Sequence, residues 1–193
     1  MKKNKFEVKK MVGVAIFVAI VIVLQMVGSF IRIGAFSVTL VLVPIVIGAA
    51  VYGPGAGALL GGAFGAVTLI GCINGVDAGG VVLWTANPPL TAALCMIKGI
   101  AAGYVSGLVY VWFSKNNKYV GVFCAAVVCP FVNTAIFLCA MFFLYLGILS
   151  DWAAGSDLVY YLFFGIAGGN FVLELLFNIV LCPSVTRVIN AVK

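Results

Sequence analysis

The sequence contains no histidine, and only five of its 193 residues are acidic. Without histidine the chain lacks the commonest general base and the usual zinc ligand. No nucleophile elbow, phosphate-binding glycine loop or His-Glu-x-x-His motif occurs. An enzyme is therefore not expected, and neither is a cofactor or a metal. Alternating strand patterns with frequent turns, the signature of a membrane barrel, are also missing. Charge is scarce in general. Charged residues make up 8% of the chain and apolar ones 65%. A soluble domain is nearer half apolar and a quarter charged. No soluble core hides so much apolar surface, so the solvent is lipid and the chain reads as one integral membrane domain.

Six apolar segments stand out: Met11–Val27, Ser37–Tyr52, Gly55–Cys72, Pro88–Phe113, Tyr119–Gly147 and Leu158–Cys182. A membrane-crossing helix needs about 20 apolar residues. The second segment is short, so it borrows from the loop before it, tilts, or lies partly at the interface. The sequence thus predicts an all-α bundle of six transmembrane helices, with five as the alternative count. Residues 1–10 form a basic N-terminal extension and 183–193 a C-terminal one. The N-terminus resembles a signal peptide, but no clear cleavage site follows, so it reads as a retained first helix.

Basic residues set the orientation. Lys2, Lys3, Lys5, Lys9 and Lys10 precede the first segment, Lys115 and Lys118 join the fourth to the fifth, and Arg187 and Lys193 follow the sixth. With six helices these nine of eleven basic residues fall on one side, and both termini are cytoplasmic. The net charge of +6 is mostly this bias and implies no nucleic-acid partner. The opposite loops carry Asp77, Asp151, Asp157 and only Arg32.

The six cysteines show no paired metal-ligand spacing and read as small apolar packing residues. Glycine recurs every fourth residue at Gly57, Gly61 and Gly65, and again at Gly99, Gly103 and Gly107. Such stripes let helix backbones approach closely in lipid. Ala15 and Ala19 give the first helix a small face too, open to a partner or to the bundle.

Polar residues within the segments are few. Lys98 lies ten residues past Pro88, roughly 15 Å down its helix at 1.5 Å per residue. Asn170, Glu174 and Asn178 share one face of the sixth segment. Asn133 and Thr134 lie mid-way along the fifth. Charges at this depth are costly and face the interior of a bundle. Lys98 and Glu174 either pair structurally or serve a ligand, and Glu174 is alternatively held by backbone donors or protonated. The outer loops GSFIRIGAFS, CINGVDAGGVVLWTANPP and GILSDWAAGSD read as a mouth over these groups. Arg32 and Trp84 lie in the first two of them, and Gly79-Gly80 is a hinge candidate. Asn87, Pro88 and Pro89 open the fourth helix, whose free N–H groups favour an anion.

Several segments carry a family resemblance. LVPIVIGAAVYGPGAGALLGGAFG, NPPLTAALCMIKGIAAG, CPFVNTAIF and GNFVLELLFNIVLCPSV, with the Ala15-Ile16-Phe17-Val18-Ala19 motif, are similar to segments of substrate-binding (S) components of energy-coupling factor (ECF) vitamin transporters. The resemblance implies a six-helix bundle that captures a small water-soluble vitamin from outside. It implies release inside by ATP-driven toppling, with a coupling transmembrane subunit docked on the Ala15/Ala19 face and two ATPase subunits as further partners. Substrate would sit under the first, third and fifth loops, among the outer halves of the fourth to sixth helices. The candidate contacts are Lys98, Glu174, Asn170, Asn133, Asn87, Trp84 and Arg32. Within the family the sequence looks most like pantothenate-type members, although Pro89 stands where that pattern has an aromatic residue. Folate, biotin, lipoate, riboflavin and a deazapurine precursor are the alternative substrates. An ion-coupled secondary carrier is the alternative mechanism, disfavoured by the lack of an internal inverted repeat. The resemblance places the protein in a bacterial cell membrane.

Overall fold

The computed structural model describes the backbone of residues 2–29, 32–33, 36–37 and 40–192. Nine α-helices appear among them: α1 (Lys2–Gly28), α2 (Leu42–Tyr52), α3 (Pro54–Ile73), α4 (Ala78–Ala86), α5 (Pro88–Phe113), α6 (Lys118–Leu144), α7 (Leu146–Ala153), α8 (Leu158–Tyr160) and α9 (Gly169–Val192). A π-helical stretch, Tyr161–Gly168, leads from α8 into α9. A two-residue hairpin joins β1 (Arg32–Ile33) to β2 (Phe36–Ser37).

Among the described residues, five helices are long and apolar enough to cross a membrane: α1, α3, α5, α6 and α9. Their outward faces are apolar, with Trp112, Phe143 and Val180 each at least 70% exposed. Such exposure is tolerable only in lipid.

The second segment is shorter than the sequence suggested. α2 begins at Leu42 and has 11 residues. Its neighbours wrap it: it touches α1, α3, α5, α6 and α9. An apolar helix of this length suits a buried core element, and Leu42, Ile45, Val46 and Ala49 are almost wholly buried. Gly53, at φ +97°, makes the turn into α3, a conformation that favours glycine.

The two glycine stripes meet each other. A methyl group on Gly57 would overlap the carbonyl of Gly103, and one on Gly61 the carbonyl of Gly99. At Gly65 it would lie 2.5 Å from the Cys95 carbonyl oxygen. α3 and α5 are therefore antiparallel and in backbone contact. Gly107 packs on Pro54, so the start of α3 lies at the far end of α5. Gly121 packs on Ser114 at that same end, and Gly13 faces Tyr52. This end carries Lys9, Lys10, Lys115 and Lys118 nearby in sequence.

Two apolar clusters fill the bundle. One gathers Val21, Ile45, Leu60, Phe64, Tyr110, Val122 and Ile189. The other gathers Leu83, Leu94, Met141, Leu149 and Leu162.

Candidate functional site

The stretch read as a glycine-rich third loop contains α4. Asp77 caps it, its Oδ1 accepting from Gly80 N at 3.2 Å. Gly75 supplies the turn before it, at φ +80°. Gly79 and Gly80 are not a loop hinge: both lie in the helix and are buried. Gly80 sits on the Cys72 sulfur, where a methyl group would collide. Gly80 thus lets α4 pack closely on the end of α3.

Thr91 fastens the other end of α4. Its Oγ1 lies 2.7 Å from the Leu83 carbonyl, 2.9 Å from the Asn87 carbonyl and 2.7 Å from the Tyr145 hydroxyl. A hydroxyl has one proton to give. Thr91 gives it to a carbonyl, so the Tyr145 hydroxyl is the donor between them. Burial pushes the Tyr145 phenol above its ordinary value, with the Thr91 bond pulling the other way. The phenol therefore stays protonated at neutral pH and keeps the bond.

Lys98 lies beneath α4, half-buried. Its Nζ is 5.4 Å from the Phe137 ring centroid and 5.8 Å from that of Phe64. Phe64 belongs to one apolar cluster and Phe137 packs on the other, so the ammonium occupies the seam between them. A cavity of about 20 Å³ adjoins it, lined also by Cys72, Asp77, Gly80, Thr91 and Cys95. That is room for about one water. A larger chamber, about 180 Å³, opens between α1 and α3. Gln25, Ser29 and Asn74 line it, and it shares Thr68 and Asp77 with the smaller cavity.

The other interior polar groups occupy a deeper level. Glu174, Asn178 and Asn133 are 4%, 2% and 6% exposed. Cys129 meets the Ser106 hydroxyl and lies within electrostatic reach of Glu174. Ser106 is two turns below Lys98 on α5. Asn178 donates its Nδ2 to the Glu174 carbonyl at 2.8 Å. The Oδ1 atoms of Asn133 and Asn178 have no hydrogen-bond partner among the described residues. Buried orphans of this kind are rare and call for a reason.

The remaining candidates fall at the rim or outside it. Asn87 is exposed and caps α5, its Oδ1 accepting from Leu90 N at 3.2 Å. Trp84 lies half-buried on α4. Asn170 lies half-buried near the start of α9. Arg32 opens β1, and β2 lies against α4; the Arg32 side chain is outside the described residues. The structure thus brings Lys98 together with α4, while Glu174 and Asn133 do not line its cavity. Sequence reasoning missed Asp77, Thr91, Phe137 and Tyr145 as parts of the site. Only Asp77 carried a signal, as an Asx residue two before the Gly79-Gly80 pair.

Ala15 and Ala19 are exposed on α1. Ala15 lines an open groove of about 770 Å³ with Lys10, Val14, Gly55, Ala56 and Leu59.

No curated protein matches the sequence. A family model described as "ECF transporter, substrate-specific component" matches residues 9–186. That range takes in α3, α5 and α6 whole, most of α1 and α9, and α4 with the Lys98 site, and the description is of a transport subunit, not an enzyme. The chain belongs to the family of substrate-specific components of ECF transporters.

Proposed function

We propose that the chain captures a small, water-soluble vitamin bearing a carboxylate, pantothenate first among them, from outside the bacterial cell membrane. One observation carries the reading: a lysine ammonium sits in an apolar seam beneath a capped helix. A cation left in such a place is costly, and a substrate carboxylate would neutralise it. Pantothenate also bears hydroxyl and amide donors. Asn133, one turn from Phe137 on α6, offers an orphaned oxygen to accept from them. Folate, biotin and lipoate share the carboxylate and are the nearest alternatives.

The cavity is too small for any of these. Entry requires α4 to lift, with Gly75 and the Asn87 corner as the points of bending. Trp84, Arg32 and Asn87 then contact substrate at the rim, and Glu174 with Asn170 orient its far end. α2 counts as the sixth helix of a single membrane domain with both termini cytoplasmic. Supporting this, Gly13, Pro54, Ser114 and Gly121 gather at one end of the bundle, beside the lysine clusters. The Ala15/Ala19 face receives the coupling transmembrane subunit. Two ATPases drive the chain to topple and release its cargo inside. Mass spectrometry of small molecules extracted from the purified chain tests the reading. A stoichiometric carboxylate vitamin supports it, and a stoichiometric ligand without an acidic group overturns it.

A further inference from the structure

The chamber of about 180 Å³ between α1 and α3 has no part in the proposed function. Gln25, 5% exposed, lies in its wall. Its Nε2 donates to the Thr68 hydroxyl at 3.4 Å, and that hydroxyl donates to the Phe64 carbonyl at 3.0 Å. The Thr68 proton is thereby spent, so Thr68 takes the nitrogen of the carboxamide and leaves the oxygen over. Gln25 Oε1 has no hydrogen-bond partner among the described residues. A buried acceptor left alone is costly and rare.

The other wall residues define what would satisfy it. Ser29 gives its proton to the Met26 carbonyl at 2.6 Å, and Asp77 Oδ1 accepts from Gly80 N. Ser29 and Thr68 therefore turn lone pairs, not protons, toward the chamber. Met26, Val67, Ile70 and Val76 make much of the remaining wall apolar. An apolar cavity of about 150 Å³ holds benzene, so this one takes a group of about six to eight non-hydrogen atoms. The fitting occupant is a compact, uncharged, largely apolar group that carries a hydroxyl or an N–H. A carboxylate would bring only further acceptors. The chamber thus differs in chemistry from the Lys98 cavity, which it adjoins through Thr68 and Asp77.

We propose that this chamber is a second, outer binding site, which takes the uncharged, donor-bearing end of the substrate with Gln25 Oε1 as the acceptor. The choice of pantothenate as the probe rests on the function proposed above; the branched, hydroxyl-bearing end of that molecule matches the chamber in size and in donors. The outer site holds this end before α4 lifts and the carboxylate reaches Lys98. Asp77 belongs to both spaces and caps α4, so an occupant lies against the helix that has to move. Lipoate, whose uncharged end has no donor, gains nothing from Gln25.

The test is isothermal titration of the purified full chain with pantothenate and with pantothenol, its neutral alcohol. Pantothenol lacks the carboxylate and reports on the outer site alone. Gln25→Leu keeps the size and removes the acceptor, and should weaken pantothenol about two- to tenfold, the worth of one neutral hydrogen bond. Gly71 lines the chamber, and a Cβ there meets nothing within 4 Å. Gly71→Phe therefore fills the space without a backbone collision and should weaken pantothenol at least about tenfold, whereas Gly71→Ala should bind it as the wild type does. Lys98→Met should leave pantothenol binding unchanged and reduce pantothenate to the affinity of the alcohol. Pantothenol that fails to bind the wild type, or binds Gly71→Phe as tightly, overturns the outer site, and loss of acid binding in Lys98→Met would still uphold the carboxylate reading. Pantothenol lost in the chamber variants, with pantothenate unaffected by Lys98→Met, upholds the outer site and overturns the carboxylate reading instead. Unchanged pantothenol binding in a folded Gln25→Leu overturns the role of Gln25; if that variant does not fold, Gly71→Phe decides.

Discussion

Replacing Lys98 with methionine removes one positive charge and almost no volume. The ammonium lies 5.8 Å from the Phe64 centroid and 5.4 Å from the Phe137 centroid. Each such contact stabilises by about 0.5–2 kcal/mol in a desolvated place. A methionine sulfur in the same position recovers about 0.3–1.5 kcal/mol per ring. The two largely offset, so the ligand-free variant should melt close to the wild type. Binding behaves differently. A charge-assisted hydrogen bond contributes about 1.5–3 kcal/mol, which is roughly a ten- to hundredfold change in Kd. Isothermal titration of the purified chain with pantothenate, and in parallel with its neutral amide, separates the two effects. The acid should bind Lys98→Met at least about tenfold more weakly, while the amide binds both proteins alike. Equal affinity of the two proteins for the acid would refute the ligand role of Lys98. A variant that fails to fold without ligand would instead assign the lysine to structure.

Other outcomes follow from the packing. Changing Ala15 and Ala19 together to leucine should abolish co-purification with the coupling subunit and leave pantothenate binding intact. Intact assembly would show that this exposed face is not the docking surface. Gly61→Ala places a methyl group against the Gly99 carbonyl, and overpacking of this kind costs about 1–3 kcal/mol. Gly71→Ala meets nothing within 4 Å and should be neutral or stabilise by about 0.5–1 kcal/mol; thermal melting in detergent compares them. Saturating pantothenate should slow hydrogen exchange across 76–87, and identical exchange with and without it would rule out α4 as the gate. Tyr145→Phe removes the bond to Thr91, costs about 0.5–1.5 kcal/mol, and should speed exchange at the Leu83 end of α4.

The sequence made some of this plain and hid the rest, for physical reasons. α5 was legible because its start is marked twice, by the Asn87 cap and by Pro88-Pro89. The glycine stripes were legible as packing surfaces because spacing by four puts them on one face. Their partnership was settled only by the register that sets Gly61 on Gly99. α4 was hidden because nine residues with two glycines resemble a loop. Gly80 is there for contact with Cys72, not for bending, and contact across the chain leaves no local pattern. Lys98 and Glu174 stood out as the deep charges, but sequence does not give the offset between helices. That offset sets Phe137 on Lys98 and Glu174 near Cys129. The Thr91–Tyr145 bond spans 54 positions and is likewise invisible in the sequence.

The central claim is that this chain captures substrate and relies on partners for energy. Uptake of labelled pantothenate into proteoliposomes containing the chain, the coupling subunit and both ATPases tests it most directly. Uptake should require ATP and all four components, and should survive the collapse of ion gradients. Uptake by the chain alone that needs no ATPase and stops when the gradient is dissipated would contradict the account, identifying an ion-coupled carrier instead.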